Sequence, residues 1–330
     1  MRCAVVGAGA WGTALAQLLS QNGHGVRLWA YEPEVADAIN VRHENALFLG
    51  GVALPPSIVA THVHAEALES AELVVYATPA QHLRGIAAAG RAHLDPHATV
   101  VVASKGVERG TLALMSQVIE HELPGREVVA ISGPSFASEV AVGLPTAIVA
   151  ASRNPSAAGV VQAALSGSRF RVYTHDDIVG VELGGALKNV MAVATGLHDG
   201  VGLGYNSRAA LMTRGLAEMT RLGVALGANP STFAGLAGVG DLVLTCTGTL
   251  SRNRSLGVEI GQGLPLAQVL AGKHTVAEGV ETTASTVALA KREGVEMPIA
   301  SMVYRILFEG HTARAAVQEL MARELRPEQD

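Results

Sequence analysis

A short apolar run, Cys3-Ala4-Val5-Val6, leads directly into Gly7-Ala8-Gly9-Ala10-Trp11-Gly12, and no other feature of the chain restricts its fold as strongly. In a G-x-G-x-x-G turn the first glycine allows the tight exit from a strand. The second lets backbone approach a pyrophosphate, and the third lets the next helix pack closely on the strand. That helix is expected from Thr13 to Gln21, rich in Ala and Leu, with a stop at Asn22-Gly23. Its first turn would offer free N–H groups and a positive dipole end to a phosphate. A glycine triplet alone is only a turn. Strand, glycine loop, helix and second strand in that order point to a dinucleotide site carried by Gly7, Gly9, Ala10, Trp11 and Gly12.

The second strand is expected at 26–30 and ends at Tyr31-Glu32-Pro33. Glu32 lies about 20 residues past the glycine turn, where an acid can hold a ribose 2′-hydroxyl. A carboxylate there repels a 2′-phosphate, so the coenzyme is read as NAD or NADP with Glu32 leaning towards NAD. Glu32 can equally be a solvated acid opening the next helix, and Tyr31 can stack on adenine or face solvent.

Six apolar runs, at 3–7, 26–30, 73–78, 99–104, 128–132 and 146–151, read as buried parallel strands. Helical segments at 33–40, 64–70, 79–93, 111–122, 135–142 and 155–165 lie between them. The expected fold is α/β, a Rossmann-like, doubly wound, mostly parallel sheet, followed by an all-α domain. Residues 1–176 form the expected dinucleotide-binding domain. Residues 177–330, with helices at 177–200, 207–227, 251–262, 277–294, 297–309 and 311–324, form a helical substrate and catalytic domain. At 330 residues two domains with ample core are expected. The composition, 49% hydrophobic but only 4% aromatic, suits closely packed layers of small side chains.

A net charge of −5 with no basic run gives nucleic-acid binding little support. Cys3 and Cys246 cannot build a disulfide framework. They read as free thiols of a reducing compartment, Cys3 in a buried strand and Cys246 in a polar loop. The chain enters its first strand at once, leaving no room for a signal peptide, and no apolar stretch reaches a membrane span of roughly 18–20 residues. A cytoplasmic location is therefore expected. The twelve histidines are scattered without HExxH or CxxC spacing, so no metal site is expected. No GxSxG elbow occurs.

In such sheets ligands bind beyond the carboxyl ends of the strands. Lys105 follows the strand at 99–103, where it can hold an anionic or carbonyl oxygen or be an ordinary loop lysine. Gly133 and Ser135 follow the strand at 128–132; Ser135 can donate to a substrate or cap a helix. Lys188 lies among Gly184, Gly185, Ala186, Val190, Met191 and Ala192. Poor solvation there would lower its pKa towards neutrality, as proton exchange requires; the alternative is a snorkelling lysine. Ser251-Arg252-Asn253-Arg254-Ser255 gathers guanidinium, hydroxyl and amide donors suited to phosphate, or forms a solvated turn. Asp241 can pair with Lys188 or cap a helix.

Together these segments resemble the bacterial-type NAD(P)-dependent glycerol-3-phosphate dehydrogenases, over nearly the whole chain. The resemblance is carried by GAGAWGTALA at 7–16, ASKGVE at 103–108, ISGPSFASEVAVGLPTA at 131–147 and GVELGGALKNVMAVATG at 180–196. It continues through TRGLAEMTRLG at 213–223, GVGDLVLTCTGTLSRNRSLG at 238–257 and VAEGVETT at 276–283. The resemblance implies that dihydroxyacetone phosphate and sn-glycerol 3-phosphate are interconverted, supplying phospholipid synthesis. It implies Lys188 as proton donor and acceptor, and Lys105, Gly133, Ser135, Lys188, Asp241, Ser251, Arg252 and Asn253 as substrate-binding. It implies Gly7, Gly9, Trp11, Gly12, Lys105, Ala137, Arg252, Val276 and Glu278 against the coenzyme. Ala10 stands where the family often has Ser, and Tyr31-Glu32 where basic residues are common. A homodimer is expected from the apolar helices of the second half. Two rival functions remain at this level: a β-hydroxyacid dehydrogenase whose Arg252 grips a carboxylate, and a coenzyme-binding redox sensor without turnover.

Overall fold

In a computed structural model that describes residues 1–271, 278–325 and 327–328, the apolar runs become one eight-stranded sheet. Its strands are β1 (Arg2–Val6), β2 (Gly25–Trp29), β3 (Ile58–Thr61), β4 (Leu73–Tyr76), β5 (Thr99–Val102), β6 (Val128–Ser132), β7 (Thr146–Ala151) and β8 (Phe170–His175). The spatial order is β3-β2-β1-β4-β5-β6-β7-β8. The chain runs outward from β1 to β3, then returns to lay β4 beside β1. The strand order therefore reverses between β1 and β4, where a ligand crevice opens in this class of sheet.

Two expectations change. β7 was expected parallel, but it pairs antiparallel with β6. β8, parallel to β7, and β3, at the opposite edge, were not expected as strands. A fully buried run reads the same in either direction, so its apolar pattern carries no orientation. β3 and β8 are both edge strands: β3 is only four residues long, and outward-facing Arg171, Tyr173 and Thr174 interrupt the apolar run of β8.

The sheet is covered on both faces by α1 (Ala10–Gln21), α2 (Pro33–Arg42), α3 (Ala46–Leu49), α4 (His64–Leu68), α5 (Leu83–Gly90), α6 (Met115–Glu122), α7 (Ala137–Ala141) and α8 (Pro155–Leu165). Alternation sorts each strand between two cores: Cys3 and Val5 face one, Ala4 and Val6 the other.

From Ile178 the described chain is helical: α9 (Ile178–Val201), α10 (Tyr205–Ala225), α11 (Asp241–Thr247), α12 (Arg252–Gly261), α13 (Leu266–Leu270), α14 (Glu278–Glu293), α15 (Pro298–Phe308) and α16 (Ala313–Met321). Asp177 caps α9 by accepting from the Gly180 N–H at 2.8 Å, and Gly202 ends it in the left-handed conformation. The sequence was expected to hold no apolar stretch of membrane-spanning length. α9 is nevertheless long and apolar enough by length and composition, with 94% of the relevant window buried inside the protein. Glycines, Glu182, Lys188 and Asn189 dilute its apolar run in the sequence.

α9 is the axis of the helical half, and α12 crosses it backbone to backbone. A Cβ on Gly196 would lie 2.1 Å from the Arg254 carbonyl oxygen, and one on Gly257 2.3 Å from that of Val193. The first turns of α9 also dock on the sheet. Ile178 and Val181 join the core beneath it, and Gly185 meets Ser132 at the end of β6.

Candidate active site

The glycine turn has the shape a dinucleotide requires. Gly7 adopts φ +115°, and a Cβ there would lie 2.7 Å from the Ala77 carbonyl oxygen after β4. A Cβ on Gly12 would lie 1.9 Å from the Gly7 carbonyl oxygen, whereas one on Gly9 would meet nothing within 4 Å. The turn is thus packed at its first and third glycines and open at the second, as backbone approach to a pyrophosphate demands. Helix α1 begins at Ala10, three residues earlier than expected. No side chain caps it and no acid sits in its first turn. Its leading N–H groups, with Ala10, Trp11 and Gly12, remain available to an anion. The buried Trp11 indole N–H has no partner among the described residues. These residues fit a bound NAD or NADP. On the neighbouring strand Tyr31 is exposed, with its ring edge-on to Trp29, and Glu32 stands at the N-cap of α2.

A second cluster lies beyond β5 and β6. Lys188, on α9, donates to Asp241 Oδ1 at 2.5 Å and to Thr245 Oγ1 at 3.0 Å. Lys105, after β5, donates to Asp241 Oδ2 at 2.7 Å. One buried carboxylate therefore holds two ammonium groups, one from the sheet half and one from the helical half. Asp241 is fully buried and Lys188 is 8% exposed. Burial pushes Lys188 down to about 8; Asp241 opposes that shift and the Lys105 charge adds to it. Burial works against the Asp241 charge, but the two lysines outweigh it and hold the carboxyl below its usual range. The cluster carries one net positive charge, suited to an oxygen that becomes negative.

Sequence reasoning gave Thr245 no role. It stands one turn after Asp241 on α11, so its hydroxyl shares a face with the carboxylate. That i, i+4 spacing was the available signal. Its Oγ1 also donates to the Asp241 carbonyl at 2.6 Å.

The loop bearing Lys105 is held firmly. Gln81 donates from Nε2 to the Val107 carbonyl at 3.0 Å and accepts the Arg109 N–H at 2.9 Å. Arg84 forks onto Glu108, with both bonds at 2.8 Å. After β6, Gly133 has φ +142° and accepts the Ser135 hydroxyl at 3.0 Å, and Ala137 opens α7. Phe136 lies against Gly248, which brings this loop beside the approach to α12.

Ser251 is the N-cap of α12 and accepts from the Arg254 N–H at 3.3 Å. Arg252 is exposed at the first position of that helix. Asn253 is buried and accepts the Gly279 N–H at 3.0 Å, tying α12 to α14. Arg254 was grouped with the phosphate donors, but two of its nitrogens grip Asp199 Oδ2 at 3.0 and 2.6 Å. Two residues along a helix turn a side chain through about 200°, so Arg254 faces α9 while Arg252 does not. Glu278, at the start of α14, is half-buried and pushed up to about 7, chiefly by desolvation. The charges of Arg252, Lys105 and Lys188 and the Ala80 N–H pull the other way. Val276 lies outside the described residues.

Cys246 was expected in a polar loop. It is instead buried on α11, and burial pushes its thiol up to about 12, which leaves it unreactive.

Comparison with known proteins agrees with this architecture. The family models described as NAD-dependent glycerol-3-phosphate dehydrogenase N-terminus and C-terminus match residues 2–158 and 177–318. A glycerol-3-phosphate dehydrogenase [NAD(P)+] of Trichlorobacter lovleyi is 54% identical over 332 residues, covering 100% of both chains. One from Geobacter sulfurreducens is 53% identical, over 99% of this chain and 98% of that one. The crystal structure of glycerol-3-phosphate dehydrogenase from Coxiella burnetii superposes with a TM-score of 0.94 at 40% identity, covering 98% of this chain and 99% of that one. The chain is an enzyme that belongs to the NAD(P)-dependent glycerol-3-phosphate dehydrogenase family.

Proposed function

We propose that the enzyme interconverts dihydroxyacetone phosphate with NAD(P)H and sn-glycerol 3-phosphate with NAD(P)+, providing glycerol 3-phosphate for phospholipid synthesis. The observation that carries the chemistry is the buried Asp241 carboxylate holding the Lys105 and Lys188 ammonium groups together at the carboxyl edge of the sheet.

A bound reduced nicotinamide supplies the hydride. Residues of the chain do the rest. Lys188 Nζ meets the ketone oxygen and gives it a proton as negative charge develops, and in the reverse direction the neutral amine takes that proton back. Lys105 adds a second positive charge and keeps the oxygen oriented. Asp241 and Thr245 fix the Lys188 amine, so its proton is delivered along one direction. Ser251, Arg252 and Asn253 at the start of α12 receive the phosphate group, with Gly133 and Ser135 closing the opposite wall. Gly7, Gly9, Ala10, Trp11, Gly12, Tyr31, Glu32, Ala137, Val276 and Glu278 serve the coenzyme. Residues 1–176 then act as the coenzyme domain and 177–330 as the substrate domain, in a cytoplasmic homodimer.

The test is turnover with dihydroxyacetone phosphate against a panel of small oxo-acids, each with NADH and with NADPH. Phosphate-dependent loss of reduced coenzyme supports the reading. Preference for an oxo-acid would favour a hydroxyacid dehydrogenase, and coenzyme binding without any turnover would favour a sensor.

A further inference from the structure

We propose that Gln81 is a positioning residue for the reaction: its side-chain amide, strung between the Val107 carbonyl and the Arg109 N–H, fixes the loop that delivers Lys105 to the reacting oxygen. The inference rests on the role assigned to Lys105 above and adds what holds that lysine in place.

Lys105 lies in the loop after β5, and the chain on both sides of it is tied to one structure, the turn at 77–82 that follows β4. Ahead of the lysine, the Ser104 hydroxyl donates to the Thr78 carbonyl at 2.6 Å. Beyond it, Gln81 donates from Nε2 to the Val107 carbonyl at 3.0 Å and accepts the Arg109 N–H on Oε1 at 2.9 Å. Turning this amide over would set donor against donor and acceptor against acceptor, so its two bonds act as a pair. Between these attachments the loop passes directly over the turn, since a Cβ on Gly106 would lie 2.6 Å from the Ala80 Cβ.

The same turn borders the coenzyme site. A Cβ on Gly7 would lie 2.7 Å from the Ala77 carbonyl oxygen. The turn therefore stands between the glycine turn and Lys105, and Gln81 passes its position on to the loop. Arg84 also reaches the loop, but only through the side chain of Glu108. Gln81 grips main chain on either side of Glu108, so it sets the path of the chain itself. The Lys105 ammonium is held by Asp241, which belongs to the helical half. With the Gln81 bridge gone, the loop can settle elsewhere and draw the ammonium off line. A displacement of about 1 Å can cost on the order of 10²-fold in rate.

The experiment is a double-mutant cycle on the full chain, combining Gln81→Met with Lys105→Met. Methionine keeps the unbranched length of glutamine and removes both the donor and the acceptor. Gln81→Met alone should lower kcat for dihydroxyacetone phosphate about 10- to 100-fold. The KM should change less than about threefold, because a second ammonium matters most once the oxygen carries charge. NADH affinity should stay within about twofold of the wild type, which also shows that the variant is folded. In the Lys105→Met background the same substitution should cost less than about twofold, since the group it positions is already absent. The proposal is overturned if Gln81→Met costs the same factor in both backgrounds, if it leaves kcat unchanged, or if its loss is confined to KM. Should Gln81→Met fail to bind NADH, the cycle is run with Gln81→Glu, whose carboxylate can accept from Arg109 but cannot donate to Val107, and the same outcomes decide. Wild-type turnover in Lys105→Met itself would overturn the role of Lys105 and the positioning with it, a result distinct from additive losses.

Discussion

Two ammonium groups share one carboxylate in a space that largely excludes water, and this coupling sets the pH behaviour of turnover. Lys188 is pushed down to about 8 because burial disfavours its charge more than Asp241 restores it. Reduction needs the ammonium form, so kcat/KM for dihydroxyacetone phosphate should fall as pH rises through about 8. Oxidation needs the free amine, so kcat/KM for glycerol 3-phosphate should rise across the same interval. Parallel pH profiles in the two directions would contradict the assignment. On the proposed reading Arg252 acts on binding instead. Arg252→Ala should raise the KM for dihydroxyacetone phosphate about 10- to 100-fold, the worth of a charge-assisted bond, with a smaller change in kcat. Steady-state kinetics checks this, and an unchanged KM would place the phosphate elsewhere. The residues of this cluster were legible in the sequence as types, a lysine after a strand, a lysine among glycines and an acid near a glycine. Their union was not, because Asp241 is 136 residues from Lys105 and 53 from Lys188, and no local pattern encodes such contacts. The division of labour between Arg252 and Arg254 was hidden for a different reason. The two differ only in the helix face each occupies once α12 has docked on α9.

At the scale of elements, the site depends on helices that touch through glycine. Gly196 and Gly257 let α12 lie directly on α9, which sets the distance between the Ser251–Asn253 turn and Lys188. Gly196→Ala would drive a methyl group into the Arg254 carbonyl and should destabilise the fold by about 1–3 kcal/mol. It should also raise the KM for the phosphate substrate more than that for coenzyme. Denaturant titration and kinetics together test this, and wild-type values in both would show that the crossing can relax. A second tether joins α9 to α6. Glu182 accepts the Ser116 N–H at 2.8 Å and the Ser116 hydroxyl, and burial pushes its carboxyl from 4.5 up to about 7. The folded state thus holds a proton that the unfolded chain releases. This contribution to stability is complete below about pH 4.5 and is lost as pH climbs through about 7. Glu182→Gln keeps the bond from the Ser116 N–H, reverses the other so that its amide donates to the Ser116 hydroxyl, and removes the titration. It should flatten the decline in unfolding free energy between about pH 5.5 and about pH 8.5 by on the order of 2 kcal/mol. An unaltered slope would show that Glu182 is ionised throughout. Elements were read from the sequence with uneven success. α8 and β7 stand where the apolar pattern put them, because Asn154-Pro155 starts the helix and a run of Ala, Ile and Val makes the strand. α11 was missed because Gly238 and Gly240 precede it and Thr and Cys dilute its apolar face.

At the scale of the molecule, the sheet presents two things along one edge: an open glycine turn where the strand order reverses, and Lys105 two strands further along. The helical half brings Lys188 and Asp241 to that second point, and Gly185 packed on Ser132 fixes how closely the halves approach. The glycine turn and the lysine cluster thus lie at different points of that edge, and on the proposed reading the proton donor belongs to the second. The most direct measurement is the rate at which enzyme-bound NADH is oxidised on mixing with dihydroxyacetone phosphate in Lys188→Ala. The rate should fall by about 10²- to 10⁴-fold, the usual worth of a general acid, while NADH affinity is retained. A rate within about twofold of the wild type would show that the proton comes from another group and would contradict the account.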